Sequence, residues 1–304
     1  MLKRISNLTK KLPEHRKLSQ LYKHINRIAL AFGHDTKVVS EMKDGTQMQV
    51  DLSTRTERLS FYTGKYDTFF ISAIKTLFRT EGCFLDIGAN IGFYTVAIGN
   101  YLKKNESSGK IVSFEPFTGN FERLKRNLKL NSLENFCLLN NYGLSDRSTE
   151  TQITLREDFK HGSNTGNAAI QTSEEMDRGF KLSQIKLKVL DEIWDKEFSH
   201  LGKIDMIKMD IEGHEDFCLK GGKRTIEIHR PSILMEVNKH YYEARNIELD
   251  SVFLKLIPEN YSIYKPVDFK WKKINSLNEC SKIDNVFLIP EEKLQKEGYE
   301  MFEK

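Results

Sequence analysis

Residues 84–95 read FLDIGANIGFYT, and this stretch decides the fold. An apolar run ends at Asp86, a turn containing Gly88 and Gly92 follows, and an amphipathic run begins near Phe93. Glycine lets the backbone approach a ligand closely, and the first N–H groups of a helix are free to bind a carboxylate. Asp86 at the strand end suits an ammonium group. The stretch therefore predicts a strand, a glycine turn and a helix that cradle a group carrying both charges.

The turn differs from the dinucleotide-binding pattern G-x-G-x-x-G. If Gly88 is the first glycine of that pattern, Asn90 and Phe93 occupy the two later glycine positions. The next apolar run ends in Phe114-Glu115-Pro116. An acid at the end of the neighbouring strand can bind both hydroxyls of a ribose. The turn is thus suited to an amino-acid group, and Glu115 is suited to a ribose. S-adenosylmethionine contains both of these groups, so the pattern indicates this cofactor.

The chain around this stretch alternates short apolar runs with longer amphipathic ones, which predicts a parallel sheet whose strands are connected by helices. The predicted strands are residues 83–87, 110–115, 135–140, 205–210, 232–237, 261–265 and 285–289. The predicted helices are residues 92–103, 118–131, 190–198, 214–229 and 250–259. The resulting domain covers residues 81–290.

An N-terminal attachment, residues 1–80, precedes this domain, and a polar tail, residues 291–304, follows it. Asp44-Gly45 predicts a hairpin over residues 36–53, and a second apolar pattern predicts a helix over residues 66–80. One further helix is indicated by an apolar stripe at steps of three and four: Leu18, Leu21, Tyr22, Ile25, Ile28, Ala29 and Phe32. We expect the stripe to pack on the domain, with peripheral membrane contact through residues 1–35 as the alternative.

The net charge of +4 is unevenly distributed. Residues 1–35 hold eight basic and two acidic residues, a net +6, which leaves −2 for the rest of the chain. The body therefore lacks the basic field typical of a nucleic-acid-binding protein. The four cysteines are far apart and form no C-x-x-C pair. Together with the lack of an apolar run of about 18 residues, this pattern predicts a reduced, cytoplasmic protein.

A polar stretch at residues 146–185 is too long for an ordinary connection, since loops above ~12–15 residues are uncommon. Its place between the third and fourth strands puts it near a substrate site. We expect these residues to form a lid, an extra hairpin or a dimer arm. A dimer arm would make the protein a homo-oligomer.

A second group of polar residues follows the strand 205–210. Strand alternation places Lys208 and Asp210 on one face, with Asp210 at the carboxyl edge of the sheet. Glu236 ends a strand that should adjoin this one. Asp210, Glu236 and His214 are the candidate general bases. Asp210, Glu212 and Glu215 could instead hold Mg²⁺, and Glu215 could simply cap the next helix.

These motifs together resemble the FkbM family of methyltransferases over most of residues 40–290. The resemblance rests on FLDIGANIGFYT at 84–95, SFEP at 113–116, LSD at 144–146, LDEI at 190–193 and IDMIKMDIEGHE at 204–215. It implies a class I, Rossmann-like α/β fold, with a seven-stranded, mostly parallel sheet and helices on both faces, and S-adenosylmethionine as the cofactor. The cofactor-binding residues that it implies are Asp86, Gly88, Ala89, Asn90, Gly92, Glu115, Pro116, Leu144 and Ser145.

The resemblance further implies an O-methyltransferase that acts on a sugar, a glycan or another small hydroxylated metabolite. A nucleic-acid acceptor is disfavoured, because neither the [DN]-P-P-[YFW] motif nor a Pro-Cys nucleophile is present. An RNA or protein methyltransferase, and a non-catalytic S-adenosylmethionine-binding scaffold, remain the alternatives.

Overall fold

The computed structural model describes residues 2–12, 18–31, 33, 35–155, 168–170 and 181–302. Within these ranges the helices are α1 (Leu2–Thr9), α2 (Leu18–Ala31), α3 (Arg55–Thr63), α4 (Thr68–Leu77), α5 (Phe93–Lys104), α6 (Thr118–Asn131), α7 (Leu190–Ile193), α8 (Glu215–Gly221), α9 (Lys223–His229), α10 (Lys239–Ala244) and α11 (Leu249–Leu256). The strands are β1 (Lys37–Glu41), β2 (Gln47–Asp51), β3 (Cys83–Ile87), β4 (Lys110–Phe114), β5 (Cys137–Asn140), β6 (Gly143–Leu144), β7 (Thr149–Leu155), β8 (Ala168–Ile170), β9 (Lys181–Lys188), β10 (Ile204–Met209), β11 (Ser232–Asn238), β12 (Tyr261–Val267), β13 (Lys270–Ile274) and β14 (Ile283–Pro290).

A central sheet organises the described residues in the order β13-β12-β14-β11-β10-β3-β4-β5. The five strands from β11 to β5 are parallel, and β14 runs antiparallel to both β11 and β12. Apolar side chains cover both faces of the sheet and form two separate core clusters. The predicted α/β class with a mostly parallel sheet is therefore confirmed, and each of the seven strands predicted for the domain belongs to this sheet. The predicted hairpin forms a separate two-stranded sheet of β1 and β2.

One strand of the sheet was not expected. β13 pairs antiparallel with β12 across a two-residue turn at Asp268 and Phe269. Its sequence, KWKKI, buries only Trp271 and Ile274, so it shows neither the apolar run of a central strand nor strict alternation. The predicted seven strands are thus extended to eight within the described residues.

Part of the long polar stretch forms a second, four-stranded sheet in the order β6-β9-β7-β8. β7 pairs antiparallel with β8, the next described strand, which agrees with the extra hairpin among the expected arrangements, and β9 pairs antiparallel with the other side of β7. Ile153, Ile185 and Leu187 form a small buried apolar cluster in this sheet, and Phe117 packs against them. Residues 156–167 and 171–180 lie outside the described part of the chain.

The N-terminal helices pack on the domain, as expected from the apolar stripe, because Leu2 of α1 and Tyr22 of α2 belong to the same core cluster as Phe84 of β3. Tyr22 stacks on Tyr62 of α3 with ring centroids 4.6 Å apart, and the Asn26 side chain donates to the Leu52 carbonyl at 2.9 Å. The stripe is narrower than predicted, because Leu21 and Ile28 are exposed. Phe32 lies outside the described residues. None of the described helices has the length and apolar character to cross a membrane.

Two further differences concern the second half of the chain. The helix predicted over 214–229 is broken at Gly222 into α8 and α9. A Cβ on Gly221 would lie 2.0 Å from the Ser145 carbonyl oxygen, so close backbone contact accounts for the glycine there. In the polar tail, Tyr299 and Phe302 are buried in the core.

Candidate active site

A cavity of about 290 Å³ lies at the carboxyl ends of β3, β4, β10 and β11. This edge is where open α/β sheets bind ligands, because the strand order reverses there. The predicted site residues that line the cavity are Gly88, Ala89, Asn90, Glu115, Pro116, Leu144, Asp210, Glu212, His214 and Glu236. Asp86, Gly92, Ser145 and Glu215 do not line it.

The turn after β3 depends on left-handed backbone conformations. Gly88, Asn90 and Gly92 have φ values of +77°, +51° and +94°. A Cβ on Gly88 would lie 2.0 Å from the Asp210 carbonyl oxygen, and one on Gly92 would lie 2.4 Å from Leu124 Cδ1. The glycines therefore permit close contact within the protein itself, whereas the sequence suggested close contact with a ligand.

Asp86 lies beneath the cavity and is fully buried. Its Oδ2 accepts a hydrogen bond from the Thr95 hydroxyl at 2.6 Å, and its Oδ1 lies 3.8 Å from Lys208 Nζ. Burial raises the pKa of Asp86, although Lys208 and Thr95 act in the opposite direction. The expected direct contact of Asp86 with an ammonium group of the ligand stays a prediction.

Lys208 is a central residue of the site that the sequence analysis did not select. Its Nζ donates to the Gly88 carbonyl at 2.9 Å and lies 3.4 Å from Asp210 Oδ2. Burial opposes the charged form of Lys208, but Asp210 and Asp86 outweigh this effect and raise the pKa of the ammonium group. Lys208 thus links the turn after β3 to the end of β10. Its predicted position on the same strand face as Asp210 was the one feature of the sequence that could have identified Lys208 as a site residue.

Glu115 closes the opposite side of the cavity. Its two carboxylate oxygens accept hydrogen bonds from the backbone N–H groups of Asn90, at 2.8 Å, and Phe117, at 2.9 Å. Burial raises the pKa of Glu115 to about 7, against the lowering effect of these two bonds. Both oxygens keep lone pairs, so the carboxylate is held in place and can still accept from ribose hydroxyls.

Asp210 and Glu236 face the other end of the cavity. β10 and β11 are neighbours in the sheet, as expected, with Met209 opposite Met235. About a third of the Asp210 side chain is exposed (34%). Burial, followed by the charges of Asp210, Glu212 and Glu215, raises the pKa of Glu236 to about 10. Glu236 therefore holds a proton at neutral pH, whereas Asp210 forms the ion pair with Lys208.

His214 separates this cavity from an adjoining groove of about 340 Å³. Its Nε2 lies 2.9 Å from the Ser145 hydroxyl, and its ring stacks on Phe217 at 4.6 Å. Burial and the nearby Arg245 lower the pKa of His214 to about 4. The imidazole is consequently neutral at pH 7. Ser145 borders the groove and not the cavity.

Glu215 has a structural role. Its Oε1 accepts from the Ile211 and Gly213 N–H groups at 3.0 and 3.4 Å, and its Oε2 accepts from the Tyr242 hydroxyl at 2.5 Å. These bonds hold the turn before α8 and cap none of its N–H groups, so the expected helix cap is replaced by a turn contact. Among the described residues, no group of three or more His, Cys, Asp or Glu side chains is arranged to hold a metal ion. The expected Mg²⁺ set of Asp210, Glu212 and Glu215 therefore has no support.

The N-terminal attachment contributes residues that the sequence analysis missed. Tyr66 and Asp67 line the cavity, and the Tyr66 ring stacks on Phe93 at 3.9 Å. The Asp67 carboxylate accepts from the Tyr94 hydroxyl at 3.2 Å. These residues lie at the start of the helix predicted over residues 66–80, where no motif marked them as site residues.

The sequence model described as the methyltransferase FkbM domain matches residues 86–274. The chain belongs to the FkbM methyltransferase family. This FkbM domain is an S-adenosylmethionine-dependent methyltransferase domain, and the predicted family is confirmed.

Relatives of this FkbM domain are distant. Methyltransferase sdnD of Sordaria araneosa is 26% identical over 201 residues, which cover 54% of this chain and 73% of that protein. Methyltransferase 1 of Beauveria bassiana (strain ARSEF 2860) is 24% identical over 155 residues, covering 47% of this chain and 59% of that protein. The crystal structure of methyltransferase FkbM from Methylobacillus flagellatus KT aligns with 18% identity and a TM-score of 0.44, covering 79% of this chain and 56% of that chain.

The residues of the FkbM site fit S-adenosylmethionine. The first N–H groups of α5 have no helical carbonyl partner and suit its carboxylate, whereas the N–H groups of Gly88, Ala89 and Asn90 already donate to Phe114 and Glu115. Glu115 lines the same cavity and suits its ribose. Leu144 and Pro116 supply apolar surface for its adenine. Asp86 Oδ1 has no hydrogen-bond partner among the described residues.

Proposed function

We propose that this FkbM methyltransferase methylates a hydroxyl oxygen of a small hydroxylated acceptor such as a sugar or a glycan unit. The observation that carries the proposal is the position of Asp210 and Glu236, at the strand edge beside the cofactor turn. A hydroxyl must lose its proton as its oxygen is methylated, and a carboxylate within reach serves this step. Bound S-adenosylmethionine supplies the methyl group as part of a sulfonium.

The two carboxyl groups have different roles in this proposal. Asp210, paired with Lys208 and partly exposed, takes the hydroxyl proton. Glu236, protonated, donates a hydrogen bond that orients the acceptor oxygen. His214 is neutral but lies against Ser145, so we assign it to the wall of the site.

The polar lining supports a hydroxylated acceptor over a phosphorylated one. Asp67, Glu212 and Asn285 line the same cavity and can accept hydrogen bonds from hydroxyl groups. Lys208 is the single Lys or Arg among the described lining residues, and two aspartates already surround it. A phosphate group would find no free cation there, which disfavours an RNA acceptor.

The test begins with calorimetric titration of S-adenosylmethionine and S-adenosylhomocysteine into the wild type, Glu115→Ala and Asp86→Ala. Hydroxylated compounds are then screened for formation of S-adenosylhomocysteine, and the methylated atom is identified by NMR. We expect Asp210→Asn to lower kcat by ~10²–10⁴-fold while S-adenosylhomocysteine still binds. Asp195→Asn, an exposed carboxylate outside the cavity, is the matched control. Methylation of a nitrogen, or full activity of Asp210→Asn, would refute the proposal.

A further inference from the structure

The turn between β12 and β13 places an aromatic side chain in water. Phe269 is 84% exposed, and its φ is +60°. Asp268 before it has a φ of +50°, so both turn residues are left-handed. Asn and Gly are the residues that favour such a turn, because a bulky side chain is strained there. Phe269 thus gains neither burial nor a favourable backbone conformation from the fold.

Basic residues surround this exposed ring. Lys270, Lys272 and Lys273 of β13 are exposed, as is Val267 on the other side of the turn. Asp268 is the one acid between Lys265 and Ile274. The tip of the hairpin therefore combines an apolar group with a positive charge.

The tip lies beside the N-terminal helices. The Phe269 ring contacts Phe69 of α4, with centroids 5.9 Å apart. Phe69 also lines a cavity with Leu12 and Ser19, next to α1 and α2. α4 consequently connects the hairpin to the basic N-terminal segment.

The outer sides of α1 and α2 have the same character as the hairpin tip. Neither helix contains an acidic residue. Among the residues whose burial is described, their large exposed apolar residues are Leu8, Leu21 and Ile28, and their exposed basic residues are Lys3, Arg4, Lys23 and Arg27. Exposed apolar side chains interspersed with Lys and Arg are typical of a surface that binds anionic membranes.

We infer that the β12–β13 hairpin and the outer sides of α1 and α2 form a docking surface for an anionic lipid membrane. Phe269 enters the interfacial region, and the lysines bind the lipid headgroups. The inference goes beyond the proposed function and does not depend on it. Since Tyr66 and Asp67 directly precede α4, membrane docking would also bring the cavity close to the lipid surface.

The test is sedimentation of the full chain with vesicles of phosphatidylcholine alone and of phosphatidylcholine and phosphatidylglycerol in equal parts. We expect binding to the anionic vesicles alone, and weakening of this binding as salt is added. Phe269→Asn should lower the affinity roughly tenfold. The combined change of Lys270, Lys272 and Lys273 to Gln should lower it by on the order of 100-fold.

The matched control is the double variant Leu254→Ala and Lys255→Gln, which changes an exposed apolar residue and an exposed basic residue of α11. α11 packs through Phe253 into the core cluster that does not include α1 and α2, so it lies outside the proposed surface. It should bind vesicles like the wild type. Phe269→Asn should also unfold at a higher temperature than the wild type, because Asn suits the left-handed turn. A loss of vesicle binding therefore cannot be attributed to misfolding.

Three outcomes would overturn the inference. They are equal binding to both vesicle types, self-association that Phe269→Asn abolishes without any vesicle binding, and binding of single-stranded RNA in place of vesicles. Titration of S-adenosylhomocysteine into each variant, without an acceptor, separates these outcomes from a failure of the proposed function.

Discussion

Lys208 shows how one buried side chain supports both halves of the site. It binds the Gly88 carbonyl on the cofactor side and forms ion pairs with Asp86 and Asp210. Removing one partner of a buried ion pair leaves an uncompensated charge, which usually costs about 3–5 kcal/mol. We expect Lys208→Met to lower the free energy of unfolding by about that amount, measured by urea denaturation.

The control for Lys208 is Lys220→Met, whose Nζ pairs with Asp146 but whose own side chain is largely exposed (63%). That change should cost less than about 1 kcal/mol. Asp86→Asn in the Lys208→Met background should restore part of the loss. Equal stability of Lys208→Met and the wild type would show that Asp86 is uncharged in the folded protein.

Glu236 predicts a pH dependence of stability. Its pKa is raised to about 10, so the folded protein keeps this proton while the unfolded chain releases it above its ordinary pKa near 4.5. The stability of the wild type should therefore fall as the pH rises from about 4.5 towards 10. Glu236→Gln lacks this titration. We expect it to equal the wild type near pH 4 and to be roughly 1–3 kcal/mol more stable at pH 7.

The measurement is urea denaturation of both proteins at several pH values. Glu150→Gln, at an exposed site on β7, is the control and should leave the pH profile unchanged. A constant difference between Glu236→Gln and the wild type across the pH range would contradict the raised pKa.

At the scale of the helices and strands, the sequence predicts those elements whose apolar residues recur at a regular local spacing. The strand ending at Asp86 and its glycine turn were placed correctly, because apolar runs followed by glycine have few other structures. β13 was missed because its burial depends on Trp271 packing against Phe287 and Phe302, which no local pattern reveals. Similarly, β7 and β9 form a sheet only through pairing across a long stretch of chain.

The break between α8 and α9 gives a prediction at this scale. A Cβ on Gly221 would overlap the Ser145 carbonyl, whereas one on Gly222 would meet the flexible Leu190 side chain at 2.9 Å. We expect Gly221→Ala to lower the free energy of unfolding by about 3 kcal/mol and Gly222→Ala by about 1 kcal/mol. Thermal and urea unfolding of the two variants provide the comparison. The reverse order would mean that the backbone of residues 144–146 adjusts freely.

At the scale of the whole molecule, the largest difference from the prediction is that the N-terminal segment belongs to the core and to the site. The sequence predicts an attachment over residues 1–80, yet Tyr22, Phe61 and Tyr62 belong to the same core cluster as Phe84 of the central sheet. Tyr66 and Asp67 moreover line the cavity. The cofactor side of the site was predictable because its motif is contiguous. The acceptor side of the site was only partly predictable from the sequence, because it combines side chains from distant parts of the chain.

This shared core predicts that the N-terminal helices unfold together with the domain. Tyr22 is buried against Tyr62, so Tyr22→Ala should lower the free energy of unfolding by about 3 kcal/mol in a single transition. Leu21→Ala, at an exposed position of the same helix, should change it by less than about 0.5 kcal/mol. A separate early transition in Tyr22→Ala, with the main transition unchanged, would show that the helices unfold independently.

The strand order also affects how the chain is synthesised. β3 lies between β4 and β10, but β3 ends at Ile87 and β10 begins only at Ile204. At about 5–20 residues per second on the ribosome, roughly ten seconds separate the two strands. During that interval a nascent β3–β4–β5 sheet has an unpaired edge at β3, which is apolar on both faces. Until β10 emerges and pairs with that edge, the nascent chain presents a site where the strands of other chains can pair, which is an aggregation hazard.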